Sequence, residues 1–255
     1  MCIRFKELWN YFSSLDLSEE KNSVKVEDFT KYNCLNLIYL KCTKKLVLDY
    51  ELLDERLLAM SLTKIPLNFK EEIHIRTMTT IYQNILKEID CPLRGDHWMK
   101  IGFQSSDPNN DLRSTGMFSM LQILAFMDRF QHYVLEIFEY FRKEFKFNPF
   151  ACILINMSNY TIQALREGIL IPYCNKYQSV IRCINDFYIG MINLFIEQRR
   201  KNKVINDNIN DEIKKLAKYS KSNPQIVFDQ VEILLKKYPQ TEKDSMSLGE
   251  ELNKY

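Results

Sequence analysis

Trp98-Met-Lys-Ile-Gly-Phe-Gln-Ser-Ser-Asp-Pro-Asn-Asn-Asp-Leu-Arg-Ser-Thr-Gly-Met-Phe-Ser-Met-Leu-Gln-Ile-Leu124 is unlike any other stretch of this 255-residue chain. It opens on an aromatic anchor, Trp98 with Phe103, passes through an unbroken run of turn-formers from Ser105 to Asn110, and ends in an apolar segment. Gly102 and Gly116 bracket the turn-formers and permit backbone angles that residues with a Cβ avoid. From Met117 to Met127 apolar residues fall on every side of a helical wheel, which marks a central helix rather than a surface one. The polar loop before it presents one cation, Arg113, two residues after Asp111. Loops carried by a rigid scaffold are where binding and catalytic groups concentrate. Trp98 and Phe103 are expected in the core, and residues 105–110 in solvent.

Outward from this stretch the pattern stays helical. Phe5, Leu8, Trp9 and Phe12 make an apolar stripe over residues 2–12. Two readings of that stripe stay open: a helix docked on the domain, or one that meets a membrane surface or a partner, with Cys2 beside Arg4 and Lys6 as an acylation site. Residues 16–25 are polar and read as a loop. Helical periodicity then runs through Glu27–Leu48, Glu51–Ser61 and Phe69–Ile89, and beyond the loop through 117–127 and 129–147. Asn148-Pro149 parts this from Phe150–Leu170, since proline suits a helix start. Gly168 and Pro172 mark the end of that helix, and Tyr177–Gln198 follows. The basic cluster Arg199–Lys203 reads as a solvated helix end, where cations suit the dipole. Asn202–Asn210 reads as a linker, residues 211–220 and 225–238 as two shorter amphipathic helices, and the polar tail from Gln240 as loose.

Composition agrees. Six glycines and seven prolines are too few for a turn-rich β fold, and 46% hydrophobic with 27% charged residues is ordinary for a globular chain. The fold class is all-α. A formal net charge of +2 implies no field for nucleic acid. The seven cysteines include no Cys-x-x-Cys and sit mostly among apolar residues, so they read as reduced core thiols of an intracellular, cytoplasmic protein. His74, His97 and His132 are too far apart to make a local metal site, so no metal and no cofactor is expected. The phosphate-binding Gly-x-x-x-x-Gly-Lys-Ser/Thr, the dinucleotide Gly-x-Gly-x-x-Gly and the Gly-x-Ser-x-Gly elbow are all lacking. No apolar run approaches the ~20 residues that span a bilayer.

Trp98, Gly102, Phe103, Gln104, Pro108, Asp111, Arg113 and Gly116 stand at the spacings of one known signature, and on them the chain resembles the ELMO domain family. Ser114 departs from the glycine usual after the arginine, and Asn110 from the threonine usual before the aspartate. Asn148–Asn156 and Gln163–Leu170 extend the likeness downstream. The resemblance implies a short, single-domain member: residues 1–26 an N-terminal amphipathic helix and linker, 27–200 the ELMO domain, 201–255 a C-terminal helical extension and loose tail. It further implies a GTPase-activating protein for a small GTPase of the Arf or Arf-like type, itself no enzyme. Arg113 would be supplied in trans to GTP hydrolysis and Gln104 would assist by positioning water or a switch loop. Trp98, Gly102, Phe103, Pro108, Asp111 and Gly116 would hold the motif. Three alternatives remain: Arg113 braces the loop by pairing with Asp111 or capping it; the protein is a scaffold that binds a small GTPase or its exchange factor without accelerating hydrolysis; or it is a helical interaction module with no GTPase partner. A glycine needed at position 114 for a positive φ would make Ser114 strain or re-aim Arg113.

Overall fold

The computed structural model describes residues 2–24, 47–145, 147–202 and 208–239, and in it every residue from Thr115 to Met127 is buried. This run is the first half of the helix around which the others gather. Among the described residues there are eleven α-helices and no strand. They are α1 (Phe5–Ser14), α2 (Ser18–Ser23), α3 (Leu53–Ser61), α4 (Glu72–Leu86), α5 (His97–Lys100), α6 (Gly116–Glu144), α7 (Phe150–Arg166), α8 (Ile171–Tyr177), α9 (Val180–Asn202), α10 (Ile209–Ser222) and α11 (Pro224–Lys237). Short 3₁₀ turns lie at Tyr50–Leu52, Leu62–Lys64 and Pro108–Asn110. The all-α class expected from the periodicity is what the structure has.

The central helix α6 packs against α1, α4, α7 and α9. It is broken at Phe130, where φ is −140° and ψ is 45°, so the two helices expected over 117–127 and 129–147 are present and meet at a kink. Before the bend α6 is buried all round. After it, Phe130, Tyr133, Val134, Ile137, Phe138 and Phe141 face the core on a single stripe. The bend brings Asp128 to the start of α1. Its carboxylate accepts the Phe5 N–H at 2.7 Å and the Arg4 guanidinium at 3.1 Å. A helix start has free N–H groups and a partial positive charge, so a carboxylate there satisfies both. The same device starts α9: Glu55 of α3 accepts from Ser179 Oγ and from the N–H groups of Val180 and Ile181 at 2.7–3.1 Å.

The α1 stripe faces this core. Leu8 and Phe12 are buried, and Phe5 and Trp9 pack partly buried against it. No single helix among the described residues is long and apolar enough to cross a membrane. Several local expectations are corrected. Residues 16–25, read as a loop, contain α2; the helix has no buried residue of its own, so no apolar period betrayed it. Pro172, read as marking a helix end, sits in the first turn of α8, where its missing N–H is harmless. Tyr177 ends α8, and α9 starts only at Val180, after Gln178 reverses the chain at φ +50°. Arg199, read as a solvated helix end, is turned inward. It pairs with Glu212, and its guanidinium lies 4.9 Å from the Phe145 ring centre. Of the cysteines, Cys174 and Cys183 are core thiols as expected, but Cys91 and Cys152 are half-buried and Cys2 is exposed. The helix expected over Glu27–Leu48 and the tail from Gln240 lie outside the described residues, save Val47 and Leu48 at the helix end.

The helices after residue 208 share this core. Ile213, Leu216, Val227, Phe228, Val231 and Leu234 are buried, and α11 runs against α9 closely enough that a Cβ on Gly190 would stand 2.1 Å from the Val227 carbonyl oxygen. Gly190→Ala sets two effects in opposition. Better helix propensity favours alanine by about 1 kcal/mol, whereas overpacking against a backbone atom that cannot rotate away costs about 1–3 kcal/mol. The clash is the larger, so Gly190→Ala is expected to lower the midpoint of chemical unfolding. An unchanged or raised midpoint would show that α11 lifts away freely.

Candidate functional site

The candidate loop lies between two glycines, each pressed against backbone. Gly102 has φ +97°, and a Cβ there would meet the Phe150 and Ala151 nitrogens at 2.6 and 2.7 Å. Those neighbours are the start of α7, which bonds back through Ala151 N–H to Ile101 O and Cys152 N–H to Gly102 O. Gly116 has φ +49°, and a Cβ there would stand 2.5 Å from Ile65 O and 2.7 Å from Leu62 O. Met117 N–H donates to Ile65 O at 2.9 Å, so the 3₁₀ turn Leu62–Lys64 and Ile65 form the wall against which α6 starts. Ser114, by contrast, is not among the positive-φ residues, which besides glycine are Lys87 and Gln178 among the described residues. The serine therefore costs no left-handed strain beside Arg113.

Trp98 and Phe103 anchor the loop from below, and both are buried. Their rings meet edge-on at 5.6 Å, Trp98 meets Tyr82 the same way at 5.3 Å, and the indole N–H donates to Leu93 O. Between Gln104 and Asn110 the loop is not the open strip expected from its composition. Pro108 is buried and Ser105, Asp107 and Asn109 are half-buried. The polar groups are used inside the loop. Asp107 caps the turn Pro108–Asn110 by accepting Asn109 N–H at 3.0 Å. Ser105 Oγ donates to Asp107 O and accepts from Asn110 Nδ2. From outside, Arg94 Nε reaches Asp107 at 2.8 Å, and Gly95 N–H donates to Ser106 O at 2.9 Å.

Asp111 closes the loop on itself. Its carboxylate accepts the backbone N–H of Gln104 at 3.2 Å, and the Cys152 thiol lies 4.0 Å from one of its oxygens while donating to Gly102 O at 3.0 Å. Burial lifts Asp111 above its ordinary range, against the Gln104 N–H and the nearby Arg113 charge, which pull it down. Burial, with Asp111 beside it, pushes the Cys152 thiol up to about 12, so this cysteine is a hydrogen-bond donor and a poor nucleophile. Asp107 goes the other way: burial alone would raise it, but the Arg94 and Asn109 donors hold it below its usual value.

Arg113 stands exposed just beyond this closure. Its Nε donates to Asn110 O at 2.9 Å, and among the described residues its two terminal nitrogens have no hydrogen-bond or ion-pair partner. The expected alternative of an ion pair with Asp111 is not what forms; the brace is to a carbonyl. Gln104 is exposed on the same loop. The sequence did not single out Arg94 or Cys152 as loop partners, because their bonds join residues 13 and 41 positions apart. The only prior signal was that Cys152 lies in the second motif-like stretch.

The model of the ELMO/CED-12 family matches residues 58–225. ELMO domain-containing protein 3 of Homo sapiens is 30% identical over 239 residues, covering 91% of this chain and 61% of its own length. The Mus musculus protein of the same name is 31% identical over 225 residues, covering 86% and 58%. The chain thus spans 58–61% of the length of these curated relatives. No solved structure matches it.

Two outcomes follow from the geometry. Trp98→Ala should destabilise the protein by about 3–5 kcal/mol, as for other buried large aromatics, read by chemical denaturation; an unchanged midpoint would mean the anchor is dispensable. Asp107 has a depressed folded pKa, so its stabilisation is present above the ordinary carboxylate range and is lost as pH falls through the folded value. The difference in melting temperature between wild type and Asp107→Asn should therefore shrink from pH 7 towards pH 3. A constant difference would sever the link to the Arg94 pair.

Proposed function

The chain belongs to the ELMO/CED-12 family, whose members are associated with GTPase regulation, and on that premise we propose that it activates GTP hydrolysis by an Arf-family small GTPase, with Arg113 supplied in trans. The observation that carries this reading is the state of Arg113. It sits on a loop clamped at both ends, held by one nitrogen and with its other two unpartnered among the described residues. A guanidinium suits the transferring phosphoryl group because it stays charged and offers a planar fork of donors. The Nε bond does not oppose this. Breaking one such bond costs about 1 kcal/mol, whereas an arginine finger is worth roughly 10³–10⁵ in rate, about 4–7 kcal/mol at 1.36 kcal/mol per tenfold. Gln104, on the same loop, positions the attacking water or a switch segment.

A second reading draws on the same bond. Because Arg113 also braces Asn110, a scaffold that binds a GTPase or its exchange factor without accelerating hydrolysis fits the loop as well.

A hydrolysis assay over Arf-family and Rho-family GTPases separates the two. Arg113→Lys keeps the charge and loses the fork, so stimulation should fall by about 10³-fold or more while melting temperature and binding to the GTP-loaded GTPase stay near wild type. Full stimulation by a well-folded Arg113→Ala protein would remove the finger. Binding without stimulation by the wild-type protein would establish the scaffold.

A further inference from the structure

We propose that the connector between α4 and α5, together with α5, is the anchor by which this protein holds its GTPase, through the exposed apolar side chains Ile89, Leu93 and Met99; this rests on the functional reading above. Lys87 ends α4 at φ +61° and turns the chain outward. From there the polar groups are paired along the surface, while three apolar side chains stay exposed. Glu88 accepts from the Tyr82 hydroxyl and pairs with Lys100 at 3.0 Å, and the Ile89 carbonyl accepts from Gln83 Nε2 at 2.6 Å. Leu93 offers its carbonyl to the Trp98 indole. The side chains left outside are Ile89 at 90% exposure, Leu93 at 39% and Met99 at 43%.

One exposed isoleucine is unremarkable. Three large apolar groups within eleven residues, Ile89 and Leu93 on the connector and Met99 on α5, are an invitation to a partner. What selects the partner is continuity. The connector is tied to the Arg113 loop by the Arg94–Asp107 ion pair and the Gly95–Ser106 bond, so anchor and arginine share one frame. That shared frame is why the GTPase engaged by Arg113 is the occupant assigned to these side chains. Charge and area argue against the other occupants. Lys87, Arg94 and Lys100 are balanced by Glu88, Asp90 and Asp96, which leaves no attraction to an anionic bilayer. Three side chains are also too little apolar area for a stable dimer of this chain.

The division of labour is specific. Apolar anchors act equally on ground and transition states, so they set affinity; Arg113 acts on the rate at saturation. The test uses the full chain and a GTPase that wild type engages. Ile89→Ser/Met99→Ser alters only exposed groups and should melt as wild type does. The concentration giving half-maximal stimulation, or half-maximal binding if the protein proves a scaffold, should rise at least tenfold with the plateau unchanged. Arg113→Lys should do the reverse, and Ile233→Ser, exposed on α11, should do neither. Unchanged half-maximal concentration in the double variant overturns the anchor and leaves the GTPase reading standing. Engagement of no GTPase by wild type overturns both. Loss of wild-type binding to phosphatidylserine vesicles in the double variant, or of a wild-type dimer in sedimentation, overturns the anchor in favour of a membrane or a second copy.

Discussion

Two backbone contacts that only glycine can make fix where the arginine loop begins and ends. Gly102 brings the chain against the first nitrogens of α7, and Gly116 brings it against the carbonyls of the 62–65 turn. Both have positive φ, so both conformation and space exclude a side chain. Everything between inherits its position from these two points. Trp98 and Phe103 fill the space beneath, Asp111 ties the loop back to Gln104, and Arg113 emerges where the loop hands over to the central helix. The arginine is held by its place at the end of the loop and by one hydrogen bond to the Asn110 carbonyl rather than by a counter-ion, which leaves its charge available.

The electrostatics of the loop follow the same division. Asp107 is well provided with donors and sits low; Asp111 is more deeply enclosed and sits high. One carboxylate holds the loop to Arg94 from outside, and the other holds it closed from within. The half-buried Cys152 completes the inner set as a donor, and its raised pKa keeps it out of thiolate chemistry.

How much of this could be read beforehand depends on range. The central helix was legible because ten of the eleven positions from Met117 to Met127 are apolar or small, all but Gln122, a pattern that leaves no solvent face. The roles of Trp98 and Gly116 were legible because a large ring and a Cβ-free residue have few other uses at a loop boundary. Whether Ser114 strains the loop was left conditional, because spacing alone could not say which position carries the positive φ; it is Gly116, two residues on. The helix α2 escaped notice because its own residues bury nothing, and the exposed expectation for Pro108 failed because composition does not report that a polar loop folds over its proline. Arg94–Asp107, Arg199–Glu212 and Cys152–Asp111 join separate elements, and no local period encodes them.

The borrowed caps have a consequence for how the chain is made. The start of α1 is satisfied by Asp128, 123 residues downstream, and Glu55 waits 125 residues for Val180. At a synthesis rate of about 5–20 residues per second, each cap lacks its partner for roughly 6–25 s after the first member is made. A ten-residue helix is marginal in water on its own. The apolar stripe of Phe5, Leu8, Trp9 and Phe12 therefore has only the α4 side of its seat, where Phe12 meets His74, until the central helix has been synthesised. During that interval the stripe is open to contact with other chains in a way that the finished fold does not allow.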